Sequence, residues 1–231
     1  KFRLDPEFAE LAVDKCKERG LHARTVSYYG FPIDTGSILA LKLLNPDNRL
    51  PAIIVSSNMY ANRAETIVLG KSVRGAIDAS GKKAVVVVVS ALSNRLHTVE
   101  IKPEDDKIHS LKDHEWNLKF LEYLDKGRLE DVSQLSRQFH EEARVPKVVS
   151  FKPFWIMASM MGQTNLYEGN ILAYEPVWGT GSAVVTMTPA EDTAGDLEYD
   201  EDDPEFYKGD REVLDFYEQP EMGPLEEEDG D

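Results

Sequence analysis

Five consecutive valines, Val85 to Val89, are the feature that most constrains the fold of this chain. The segment from Lys83 to Ser90 is too short to span a membrane, and it is apolar on both faces, which is typical of a β-strand buried on both sides. The run from Pro51 to Ser56 has the same character. Strands of this kind need helices on both faces of their sheet, so the sequence predicts an α/β protein.

Helical and strand patterns alternate through the first ninety residues. The predicted helices cover Asp5 to Arg19, Ser37 to Leu44 and Asn62 to Ala79, and the predicted strands cover His22 to Tyr28, Pro51 to Ser56 and Lys83 to Ser90. This alternation favours a mixed, largely parallel central sheet with helices on both faces.

The pattern changes after the valine segment. Three helices are predicted at Asp113 to Leu124, Asp131 to Ala143 and Phe151 to Met161, and two strands at Ile171 to Val177 and Ala183 to Thr188. Residues Gly179 to Ser182 resemble half of a glycine-rich phosphate loop. They lack the Lys-Ser/Thr pair and the helix that such a loop requires, so a β-hairpin turn is the favoured interpretation.

Charge divides the chain into two parts. Residues 189–231 contain 19 acidic and 2 basic residues, whereas residues 1–188 are nearly neutral. We therefore expect an α/β domain at 1–188 and an acidic tail at 189–231. The tail is either a disordered polyanion or an arm that folds along a basic partner surface. Its candidate partner-binding residues are Tyr199, Phe206, Tyr207, Leu214, Phe216 and Tyr217.

Composition also excludes several classes of function. A nearly neutral domain with an acidic tail does not suit nucleic acid, since phosphate binding needs clustered Lys and Arg. The single cysteine, Cys16, cannot form an intrachain disulfide, and no histidine pair or serine motif predicts a metal or hydrolase site.

We expect a soluble protein without a membrane span, located in the cytoplasm or in an organelle matrix or stroma.

Polar residues follow the predicted strands, where an open α/β sheet places its binding site. Asp34, Asn58 with Tyr60, and Asn94 lie in three such loops and could line a pocket. The alternative is that Asp34 caps a helix and the two asparagines form turns.

Several runs along most of Phe2 to Thr188 together resemble the class III extradiol ring-cleavage dioxygenase superfamily, which has the protocatechuate 4,5-dioxygenase fold. The runs are Leu21 to Gly36, Val55 to Tyr60, Lys83 to Ser93, Trp116-Asn117, Glu142 to Arg144 and Gly179 to Val185. Within the superfamily, the likeness is to the non-catalytic alpha subunits of the 2-aminophenol 1,6-dioxygenases.

The resemblance implies that active members bind Fe(II) through two histidines and one glutamate. Both histidines would lie upstream of Lys1, and the glutamate would fall at Ser150 or Phe151. A catalytic histidine of active relatives is replaced by Asn94, and another by Thr35. Neither an amide nor a threonine hydroxyl moves protons near neutral pH. The resemblance therefore implies a pseudoenzyme with no catalytic or metal-binding residues and no cofactor of its own, with Fe(II) only in a catalytic partner.

Three functions follow from this resemblance. The first is a catalytically inactive structural subunit of a larger hetero-oligomeric protein complex. The second is an accessory alpha subunit of an Fe(II)-dependent heteromeric aminophenol-type dioxygenase. The third is an active enzyme whose histidine ligands lie on an upstream segment, although those histidines would restore only part of the site.

Overall fold

A computed structural model describes residues 2–26, 33–58, 60–128, 152–161 and 167–190, together with four single residues between 132 and 143. Most of the predicted helix from Asp131 to Ala143 lies outside these residues. Residues 191–231 of the acidic tail, with its six candidate partner-binding residues, also lie outside them, as do Ser150 and Phe151.

Within the described residues, five helices form close to the positions that the sequence predicts. They are α1 (Pro6–Glu18), α2 (Thr35–Leu44), α3 (Arg63–Ser80), α4 (Leu111–Asp125) and α5 (Lys152–Met160), with a 3₁₀ turn at Pro103–Asp105. Asn62 and Glu65 form a reciprocal capping box at the start of α3, and Gly81 ends that helix in the left-handed conformation. Local capping chemistry therefore sets both ends of α3.

Helix α3 packs between α1 and α5. Its buried face includes Ile67, Val68 and Val73, and α1 contributes Cys16, which is buried as a small apolar residue. At Gly70 a Cβ atom would overlap the Ser159 hydroxyl of α5. The missing side chain lets α3 and α5 approach closely.

The two predicted strands near the end of the domain form an antiparallel hairpin, β1 (Tyr167–Val177) and β2 (Thr180–Pro189). Trp178 and Gly179 form its two-residue loop with φ values of 54° and 88°. Two central residues with positive φ are typical of a type I′ turn, whose twist matches that of paired strands. The hairpin interpretation is confirmed.

The largest core lies between α4 and this hairpin. Phe120 and Leu124 of α4 are buried there with Phe139, and Tyr174 and Val185 of the hairpin pack against them. The Phe120 and Phe139 rings stack with centroids 5.0 Å apart. This core fixes the position of α4 relative to the hairpin.

The predicted parallel sheet differs from what the described residues show. There, the hairpin is the only sheet, and the Pro51 to Ser56 run contributes one parallel bridge, between Leu4 and Ala52. Residues 22–26 and Lys83 to Ser90 form no strand, because a strand exists only when another segment accepts its hydrogen bonds. Val85 is 87% exposed, and the apolar helix α2 has no buried residue. Within the described residues, Val85 and Val87 of the valine segment and Leu43 and Leu44 of α2 remain exposed.

No helix among the described residues is both long and apolar enough to cross a membrane.

Candidate functional site

The loop that follows the valine segment is anchored to α4 by Asn117. The Asn117 side chain is fully buried, and its Oδ1 accepts the Ser93 backbone N–H at 2.9 Å. Its Nδ2 donates to Ser93 Oγ at 2.8 Å and to the Tyr174 hydroxyl at 3.0 Å. Because a backbone N–H can only donate, the orientation of the amide is unambiguous.

One turn earlier on α4, Asp113 anchors the other side of the same loop. Its carboxylate is fully buried and forms an ion pair with Arg95, with 3.2 Å between Nε and Oδ2. Asp113 and Asn117 are four residues apart and lie on one face of the helix. Two side chains of α4 thus hold the residues before and after Asn94.

The hairpin turn fixes the remainder of the loop. The Asp106 carboxylate accepts the backbone N–H groups of Trp178 and Gly179, and the Trp178 indole donates to the His97 carbonyl at 3.0 Å. The His97 N–H donates in return to the Trp178 carbonyl at 3.1 Å. At Gly181 a Cβ atom would overlap the Asn117 amide, so glycine is needed there for close approach.

An imidazole extends this polar network. His114 Nδ1 lies 3.1 Å from the Tyr174 hydroxyl, and the two rings stack with centroids 5.7 Å apart. Burial raises the pKa of Tyr174, and the Asn117 hydrogen bond partly opposes this effect. Tyr174 therefore remains a protonated hydroxyl at neutral pH.

Asn94 lies between the two anchored residues with its side chain exposed. The loop therefore presents a hydrogen-bonding amide on a fixed backbone, and an amide cannot act as a general acid or base. The assignment of Asn94 to a ligand pocket stays a prediction.

Asp34 and Thr35 begin α2. The Asp34 side chain accepts the Ser37 backbone N–H at 2.8 Å and the Ser37 hydroxyl at 2.6 Å. Both hydrogen bonds lower the pKa of Asp34. The bond from the Ser37 hydroxyl has the larger effect, and the bond from the Ser37 backbone N–H has the smaller one. Its carboxylate thus serves as the helix N-cap that the sequence allowed as an alternative, and Thr35 is the first helical residue.

Asn58 and Tyr60 form a turn, with the Tyr60 N–H donating to Asn58 Oδ1 at 2.9 Å. The Tyr60 side chain is 85% exposed. The ammonium of Lys152, at the start of α5, donates to the Asn58 carbonyl at 2.8 Å. Lys152 is only 8% exposed and directly follows Phe151, one of the two positions at which the resemblance places the glutamate ligand of active members.

The three loops of the predicted pocket are not joined to one another by hydrogen bonds within the described residues. No such bond connects Asp34, Asn58 and Asn94, and the predicted pocket stays a prediction. Sequence reasoning missed Asp113 and Lys152, and it noted Asn117 only as part of a motif. The spacing of Asp113 and Asn117 was the one available signal.

The described residues do not fit a two-histidine, one-carboxylate iron site. No group of three or more His, Cys, Asp or Glu side chains in the described part of the chain is arranged to hold a metal ion. Of the side chains in these loops, Asp34 caps a helix, Asn58 and Asn94 are neutral, and Lys152 is a cation.

Comparison with known proteins places the chain in a family. Residues 1–186 match the family described as the catalytic LigB subunit of aromatic ring-opening dioxygenase. The chain is 29% identical over 186 residues to the 2-aminophenol 1,6-dioxygenase alpha subunit of a Pseudomonas species, and 34% identical over 193 residues to the beta subunit. These alignments cover 80% and 79% of this chain, and 67% and 62% of the two relatives. The chain therefore belongs to the LigB family of aromatic ring-opening dioxygenases.

Proposed function

We propose that the chain is a catalytically inactive LigB-family subunit that acts as a structural component of a larger protein complex. The side chains in the strand-end loops carry this proposal. Extradiol cleavage needs a proton-transfer group beside its metal. In this chain, the anchored loop presents Asn94, the α2 terminus presents Thr35, and the third loop binds an ammonium. None of these groups transfers protons near neutral pH in the way that histidine does.

The exposed apolar surfaces support a role in assembly. Helix α2 exposes Leu39, Leu43 and Leu44, and the valine segment exposes Val85 and Val87. Monomeric proteins rarely expose large contiguous apolar patches. In the proposed complex, the valine segment is a central strand of the parallel sheet, and the acidic tail is an additional arm that binds a basic partner surface.

The two relatives favour a second candidate. They are named as alpha and beta subunits of 2-aminophenol 1,6-dioxygenase, and the chain is similar to both. The complex would then be a heteromeric Fe(II)-dependent aminophenol-type dioxygenase, and this chain would be its accessory subunit. Fe(II), when bound in the partner, would supply O2 and substrate coordination.

Metal analysis and an activity assay test both candidates. The full-length protein would be purified alone and with its co-purifying chains, reconstituted anaerobically with Fe(II), and assayed with 2-aminophenol and protocatechuate. The Pseudomonas enzyme is the positive control. We expect no stoichiometric iron in this chain alone and no ring cleavage by it, because its loops lack a histidine for proton transfer. Stoichiometric iron with ring cleavage by this chain alone would overturn the proposal. Iron confined to a co-purifying homologous chain would identify the accessory subunit.

A further inference from the structure

We propose that the tip of the β1–β2 hairpin is a docking surface for a basic segment of a partner subunit. The surface consists of the exposed side chains of Leu96, Val177 and Trp178 and the neighbouring carboxylates of Glu104 and Asp105, and we call it the hairpin tip. Its ligand is a peptide segment that carries arginine or lysine side chains. This inference rests on the proposed structural role, because it names the surface and the partner chemistry through which such a subunit would assemble.

Trp178 has a backbone conformation that bulky residues rarely adopt. Its φ of 54° lies in the left-handed region, and the first loop position of a type I′ turn is usually asparagine, aspartate or glycine. Tertiary partners hold this conformation. The Asp106 carboxylate accepts the N–H groups of Trp178 and Gly179, and the two backbone groups of His97 bond to the Trp178 carbonyl and indole. The turn itself therefore does not require a tryptophan, and the bond to His97 fixes the indole ring.

The fixed indole ring lies in an exposed apolar patch. Trp178 is 39% exposed, even though its indole N–H is bonded. Val177 and Leu96 are each more than half exposed, and Leu96 lies beside the turn because it precedes the bonded residue His97. A rigid aromatic ring loses little conformational entropy when a partner covers it, and tryptophan is enriched among the residues that dominate binding energy. The hairpin tip therefore has the properties of a binding surface.

Carboxylates lie beside this apolar patch. Glu104 and Asp105 belong to the 3₁₀ turn and are exposed, and they directly precede Asp106, whose carboxylate is bonded to the hairpin turn. Glu175 is exposed on the same face of β1 as Val177, two residues before it. A partner's arginine or lysine can stack on the indole ring and pair with a carboxylate at the same time.

The charge of this region favours a basic partner over other occupants. Residues 96–109 and 172–184 together contain five carboxylates and two lysines. Two copies of the chain that met through their hairpin tips would bring like charges together, which is unfavourable. The acidic tail has the same sign of charge as the tip, so it is also disfavoured as the segment that covers it. A basic segment is the occupant that complements both the ring and the carboxylates.

The indole signal of Trp178 tests the proposal in the full-length chain. The protein would be labelled with nitrogen-15 at its three tryptophans, and the Trp178 signal would be assigned from triple-resonance spectra. The probe is an acetylated hexa-arginine amide, and its control is the hexa-citrulline peptide, which has nearly the same shape without the charge. In about 0.1 M NaCl, we expect the arginine peptide to shift the Trp178 signal saturably, with half-saturation at about 1 mM or below. The citrulline peptide should leave the signal in place.

Paired substitutions test the carboxylates of the hairpin tip. Glu104→Gln with Asp105→Asn should raise the dissociation constant read from the Trp178 signal about threefold to tenfold, because two exposed ion pairs are lost. The matched control is Glu7→Gln with Asp14→Asn, which removes two exposed carboxylates from α1 and should change the constant less than about twofold. All four side chains are exposed, so both variants should keep the wild-type fold.

Three results would overturn the proposal. The first is a Trp178 signal that stays in place at excess arginine peptide, even where the peptide binds elsewhere, for example to the acidic tail. The second is an equal shift with the citrulline peptide, or an equal effect of the two double variants. The third is a Trp178 signal that moves with protein concentration alone, together with dimers in sedimentation equilibrium, which would assign the surface to a second copy. No readout depends on iron or ring cleavage, so failure here is distinguishable from failure of the proposed function.

Discussion

Replacing Asn117 with alanine should destabilise the fold far more than replacing its neighbour in the site, Asn94. In Asn117→Ala the buried Ser93 N–H loses its acceptor, which costs about 1 to 3 kcal/mol. The hydrogen bonds to Ser93 Oγ and Tyr174 are also lost, at about 0.5 to 1.5 kcal/mol each. We expect a total loss of about 3 kcal/mol in the free energy of unfolding, and a decrease in Tm of roughly 6 to 12 °C.

The matched control is Asn94→Ala in the same loop. The Asn94 side chain is exposed, so its removal should change the free energy of unfolding by less than about 0.5 kcal/mol. Urea unfolding followed by far-UV circular dichroism measures both variants, with unchanged m-values as the check on two-state behaviour. Equal effects of the two substitutions, or a loss below about 1 kcal/mol for Asn117→Ala, would refute the reasoning.

Three further predictions concern the same loops. Gly181→Ala should destabilise the domain by about 2 kcal/mol or more, because its Cβ overlaps the Asn117 amide, and urea unfolding checks this. The pKa of Asp34 is lowered in the folded state, so its stabilisation of α2 is present above the ordinary Asp pKa and is lost as pH falls through the folded value. Asp34→Asn should remove that acid dependence while retaining the cap, and a wild-type acid profile in the variant would contradict it. With the Tyr174 hydroxyl accepting from Asn117, we predict that this hydroxyl donates its proton to His114 Nδ1, so that neutral His114 carries its own proton on Nε2. Nitrogen-15 chemical shifts report that tautomer, and a protonated Nδ1 in the neutral ring would be inconsistent with the network.

The features that could be predicted from sequence are those fixed by nearby residues. Asp5 and Asn62 cap their helices within three residues, and the Trp178-Gly179 turn follows from chemistry inside the hairpin. Each depends on neighbouring hydrogen-bond partners, so a short window of sequence contains the whole cause. The helix ends and the hairpin were accordingly predicted to within a few residues.

The site could be predicted only in part, because its bonds join distant residues. Asn117 reaches Ser93 across 24 residues and Tyr174 across 57, and no local pattern encodes either pair. The prediction of the parallel sheet is difficult for a different reason. Apolar composition predicts that the valine segment is buried, but hydrogen-bonded partners decide whether it is a strand. In the described part of the chain those partners are absent, and most of the segment is exposed.

In the loop around Asn94, the residues that fix the backbone are different from the residue whose side chain is exposed. The polar contacts described for this loop come from Ser93, Arg95 and His97, which bond to α4 and to the hairpin. The Asn94 side chain is exposed between these anchored residues, so a change of residue type at 94 costs the fold little. Stability therefore does not dictate an amide at this position, and a histidine would be presented on the same backbone. Since the fold would also tolerate a proton-transfer group there, nothing in the packing of this loop selects the asparagine over a histidine.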